Sequence, residues 1–118
     1  IRLSLVGSEM CIRDSFTTWR RWCMKRAYFS KELETSLRPH HYEAVTAPIR
    51  SWIFTDDPIA TPSTARDLLS VYPNARSNMS VHAPGDFGAR RIGHEGAFRK
   101  GMEPLWDRIF HWLDNGDA

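Results

Sequence analysis

With 118 residues, the chain is long enough for one small domain with a single core and too short for two. Its apolar and charged fractions, 42% and 25%, are ordinary for a globular protein, and a formal charge of +2 is too slight to imply a nucleic-acid or anionic-membrane partner. Two cysteines, Cys11 and Cys23, supply neither a disulfide framework nor a metal-ligand spacing, which favours a reducing cytoplasm. No apolar run approaches the roughly 18–20 residues of a membrane span.

In chain order, the opening "IRLSLVGSEMCIRDS" has an apolar start interrupted by Gly7, Ser8 and Glu9, with no small-residue cleavage site after it, so it is not a signal peptide. The stretch "VGSEMCIRDS" resembles translated sequencing-adaptor read-through. On that resemblance residues 1–15 are a non-native segment and the evolved sequence is residues 16–118; the competing reading is a strand at Leu3 to Val6. From Thr17 to Phe29, Trp19, Trp22, Cys23 and Arg26 recur at helical spacing and predict a short amphipathic helix. Its tryptophans and arginines could stack single-stranded nucleic acid, but an apolar stripe beside a solvated basic face suits so neutral a chain better. Residues 30–47 read as polar and irregular. His40 and His41 are adjacent, so on an extended chain they point opposite ways and make a poor metal site.

"APIRSWIF" predicts a strand over 48–54, its nearly continuous apolar run suiting a position covered on both faces of a parallel sheet. Next comes a helix over 62–72, with Thr61 as N-cap, Pro62 at the first helical position, and Ala65, Leu68, Leu69 and Tyr72 on one face. Pro73 stops it. "NMSVHA" predicts a second strand over 78–83, and a strand–helix–strand order is what a right-handed parallel crossover requires. A loop rich in glycine and charge, "PGDFGARRIGHEG", leads to a last helix over 103–114. Pro104 stands near its start, Gly116 past its end, and Leu105, Trp106, Ile109, Trp112 and Leu113 form its buried stripe. The fold class is therefore α/β.

In an open parallel sheet, sites form at the carboxyl edge because the loops leaving the strands gather there. Asp57 directly follows the first strand and His94 lies on the loop leaving the second. Neighbouring strands about 4.8 Å apart would let the two meet, and a carboxylate beside an imidazole fixes its tautomer and stabilises the imidazolium formed in general-base catalysis. An unperturbed imidazole titrates close enough to neutral pH for that exchange.

The segment "VTAPIRSWIFTDDPIATP" resembles the acid strand of the α/β-hydrolase superfamily, and "RIGHEGAF" resembles its histidine loop. With "WRRWC" upstream, the stretch from about Phe16 to Leu113 resembles the C-terminal half of a group of bacterial predicted α/β-hydrolases of unassigned substrate. That resemblance implies a chain order of nucleophile, acid, histidine. The acid falls on Asp57, with Asp56 as fallback should the turn shift by one residue, and the histidine on His94, between Gly93 and Gly96. It implies no metal and no cofactor, and a small ester, thioester or amide as substrate. Arg90 and Arg91 are candidates for the mouth of the site, although exposed loop arginines are usually only solvated. His82 reads as a core or edge histidine.

One departure stands out. No G-x-S-x-G occurs in the chain, so the nucleophile elbow and the oxyanion-hole amides that accompany it are missing. Loss of the nucleophile costs a serine hydrolase on the order of a millionfold in turnover, so the chain alone is expected to be inactive. Two strands alone are marginal in water, and an uncovered apolar edge invites aggregation. The alternative reading is a small non-catalytic interaction domain whose tryptophans, five in number, contact a partner protein.

Overall fold

The computed structural model describes residues 2–116, with side chains from residue 12 onward. They form two compact units, Ile1–His40 and His41–Ala118, where composition led us to expect one core. Residues 16–40, read from sequence as part of the same domain as the strands, fall in the first unit.

The first unit carries helix α1, Arg2–Cys23. The helix predicted from Thr17 to Phe29 thus ends six residues early, and Leu3 to Val6 are helical rather than extended. Arg20 and Arg21 occupy the last turn, where positive charge meets the negative end of the helix dipole. Tyr28, at φ 53°, lies in the left-handed region that a continuing helix excludes. The reversal packs Trp22, Tyr28 and Phe29 at ring-centroid separations of 5.4–5.6 Å, within the range of favourable edge-to-face pairs. Ile12, Phe16 and Trp19 stay exposed along α1.

Residues 30–47 are less irregular than expected, with 3₁₀ turns at Ser30–Glu32 and Tyr42–Ala44. Glu32 is buried and accepts from Arg21 Nε (2.8 Å) and a terminal guanidinium nitrogen (3.1 Å), Trp22 Nε1 (2.9 Å), Lys25 Nζ (3.3 Å) and Ser36 Oγ (3.2 Å). A buried carboxylate demands such partners. The Arg21 hydrogen bond, then that of Trp22, outweigh burial and hold its pKa at about 2 instead of the ordinary 4.5.

The second unit is a strand–helix–strand arrangement followed by a long loop and a helix. Strand β1 (Ile49–Phe54) and strand β2 (Ser77–His82) pair in parallel with Ile49 opposite Ser77 and Phe54 opposite His82. Among the described residues they are the whole sheet. Both start or end within a residue of the predicted spans. Between them, helix α2 (Pro62–Leu69) is capped by Thr61, whose side chain accepts from the Thr64 amide while Thr64 Oγ1 accepts from the Thr61 amide, satisfying donors no helical carbonyl reaches. The predicted helix ran to Tyr72. Pro73 disfavours helical geometry at the residue before it, and the amides of Val71 and Tyr72 bond three residues back, to Leu68 and Leu69. Tyr72 consequently leaves the helix face and meets Tyr42 edge-on at 5.2 Å.

Strand alternation puts Trp52 and Phe54 on one face and Ile53 on the other. On the first, Phe54, Phe87, Ile92, Met102 and Leu105 form the buried core, with Trp52, Trp106 and Ile109 packed against it. Helix α3 (Glu103–Asn115) brings Leu105, Trp106 and Ile109, and its Trp112 meets Trp52 edge-on at 5.6 Å. Gly116, at φ +68°, ends the helix in a conformation that L side chains rarely adopt. Coverage is thinner than the apolar run of β1 implied: only Ile53 and Phe54 are buried in that strand, and Leu68 and Leu113, predicted to face inward, are exposed. Two strands and two helices offer too little surface to cover every apolar side chain. Among the described residues no helix is long and apolar enough to cross a membrane.

Candidate active site

The chain leaves β1 through a turn in which the Asp57 amide bonds the Phe54 carbonyl at 3.1 Å. Pro58 has no N–H, so the first free amides after Asp57 are those of Ile59 and Ala60, and both bond Asp57 Oδ1, at 2.8 and 3.0 Å. An aspartate accepting from amides two and three residues ahead is a local Asx arrangement. It fixes the carboxylate before any distant partner arrives.

That partner is His94, 37 residues away, whose Nδ1 lies 3.1 Å from Asp57 Oδ2 and 3.2 Å from Oδ1. An ionised carboxylate only accepts, so Nδ1 carries the proton, which in the neutral ring leaves the lone pair on Nε2. Only 5% of the Asp57 side chain is exposed against 47% of the His94 side chain, so the buried acid orients an imidazole that remains open to approach. Among the described residues no side chain hydrogen-bonds His94 Nε2. Burial, the largest influence on Asp57, raises its pKa; the Ile59 and Ala60 amides and His94 together outweigh it and hold the carboxyl below its ordinary value.

Asp56 does something different. Its Oδ2 accepts from the amides of Ile92 and Gly93, at 2.9 and 3.0 Å, across 36 and 37 residues of chain. The Ile92 hydrogen bond foremost, aided by that of Gly93 and by the charge of Arg91 and opposed by burial, keeps its pKa low. One carboxylate of the turn thus takes the imidazole and its neighbour the backbone beside it. Sequence reading had taken Asp56 only as a spare acid. The adjacent pair "DD" at a strand end was the available signal.

The loop carrying His94 is no flexible tether. Phe87 and Ile92 are core residues, and Trp106 Nε1 donates to the Ala97 carbonyl at 2.7 Å. Gly93 adopts φ +63°, a backbone conformation that favours glycine, and Gly96 is buried against Ile92. Arg90 and Arg91 are exposed. His82 has local partners, Ser80 Oγ at 2.9 Å, the Asp86 carboxylate at 3.6 Å and the Phe87 ring. Cys23 is a free, exposed thiol.

A groove of about 300 Å³ runs between the sheet and α3, lined by Arg50, Trp52, His82, Arg108, His111 and Trp112. Neither Asp57 nor His94 lines it. Among the described residues no group of three histidine, cysteine, aspartate or glutamate side chains is placed to hold a metal ion. No protein-family model, curated protein or solved structure matches the chain.

Proposed function

We propose that residues 16–118 carry the acid and the histidine of a serine hydrolase of the α/β-hydrolase type, acting in a reducing cytoplasm on a small ester, thioester or amide. The observation that carries this reading is the pair of a buried, amide-held Asp57 and a half-exposed His94 at the carboxyl edge of a parallel sheet. In this scheme a serine supplied by polypeptide outside this sequence passes its proton to His94 Nε2 as its oxygen attacks the carbonyl carbon. The imidazolium, steadied by Asp57, then returns the proton to the leaving group, and water repeats the sequence to release the acid. The absence of G-x-S-x-G from the chain supports inactivity of the chain alone.

The test uses the intact parent protein, obtained by reading its gene in frame upstream of residue 16. His94→Ala should abolish hydrolysis of a short p-nitrophenyl ester while circular dichroism stays unchanged. Unaltered turnover in that variant defeats the assignment. The competing reading, a non-catalytic interaction domain, draws on the exposure of Phe98 and Phe110, and an upstream frame without a nucleophile elbow would favour it.

A further inference from the structure

We infer that Asp56 is a positioning residue, the latch that sets the register of the histidine loop so that the imidazole arrives at Asp57. The inference rests on the reading of Asp57 and His94 as the acid–histidine pair. The two residues whose amides Asp56 Oδ2 accepts, Ile92 and Gly93, immediately precede His94. One point on the β1 turn thereby grips two consecutive peptide units, and such a two-point grip fixes the direction in which the next residue leaves. Gly93 at φ +63° turns the chain just beyond the two held amides, in a conformation L side chains resist, and so directs the step to His94. Ile92, fully buried, anchors the same segment from the core side. Asp56 and Asp57 are neighbours on one rigid turn, so the latch and the acid move as one body. Any shift of the turn carries the histidine loop with it.

Asp56 Oδ1 is buried and without a hydrogen-bond partner, which separates the two ways the residue could act. If it works as an acceptor for the two amides, a neutral side chain with its oxygen in the same place should serve, and a nitrogen in the Oδ1 position breaks no existing bond. If it works only by its charge, the neutral variant should fail.

The test is ¹H–¹⁵N NMR of the full chain labelled at histidine, following the downfield Nδ1 proton of His94, assigned by its loss in His94→Gln and in Asp57→Asn. Asp56→Asn should retain this signal. Asp56→Leu, which removes the acceptor, should lose it and speed amide exchange at Ile92 and Gly93 by about tenfold or more, with the β1 and β2 amides still protected. Asp56→Glu keeps the charge but moves the acceptor by one methylene, and it should also lose the signal, which keeps the test decisive if the leucine variant does not fold. Retention of the signal in Asp56→Leu or Asp56→Glu, or its loss in Asp56→Asn, overturns the latch while leaving the acid–histidine pair intact. A wild-type chain with no Asp57-dependent signal overturns both.

Discussion

Among the described residues the buried carboxylates are Glu32 in the first unit and Asp57 in the second, and they are solvated in opposite ways. Glu32 takes its donors from side chains four to eleven residues away, so it ties a local knot. Asp57 takes two from neighbouring backbone and the last from a half-exposed imidazole 37 residues away. A carboxylate enclosed by fixed local donors holds a chain reversal together. One that shares its charge with an accessible, titratable ring can help move a proton.

The largest effect should come from breaking the second arrangement. In the intact parent, Asp57→Asn should lower kcat by about 10⁴-fold, since the amide no longer selects the Nδ1–H tautomer, with little change in thermal stability. A loss below tenfold would place Asp57 with Glu32 as a structural carboxylate. The converse is Glu32→Gln, which should loosen the Trp22 cluster and leave the His94 environment untouched, as read by near-UV circular dichroism and histidine NMR.

Acid sharpens the contrast. Folding lowers the Glu32 pKa from 4.5 to about 2, so the stability it lends is full above its ordinary value and fades as pH falls toward 2. An acid titration of the near-UV signal should show that loss in wild type, and Glu32→Gln should flatten it. The depressed Asp57 pKa has the same sign, so the paired state also persists at neutral pH and fails only in acid. The smallest effect concerns the turn that follows Asp57. Thr61→Ala removes the cap of α2 and should cost about 1 kcal/mol, a fall in Tm of about 4–8 °C for a unit of this size. An unchanged melting curve would show that the cap is not needed to hold the acid turn.

Local chemistry explains what was legible. Thr61-Pro62 marks a helix start by capping and by proline's fixed φ, and the apolar run at 49–54 marks a strand, so these elements were readable within a residue or two at their starts. The partnership of Asp57 with His94 was legible because parallel strands deliver their loops to one edge. Harder to foresee was the first unit, where the reversal at Tyr28 and the role of Glu32 arise from side chains converging after the chain has turned. The packed loop was likewise opaque: "PGDFGARRIGHEG" reads as polar, yet Phe87 and Ile92 are core residues, and a single apolar side chain between glycines and arginines gives no periodicity. The separate duty of Asp56 depends on backbone donors, which nearly every residue carries, so the pair "DD" marked the place but not the partners.

The most direct test of the account is the tautomer of the neutral His94 ring, read from its two ¹⁵N shifts in the full chain. The proton should sit on Nδ1, and Asp57→Asn should redistribute it. A ring protonated on Nε2, unaffected by Asp57→Asn, would contradict it.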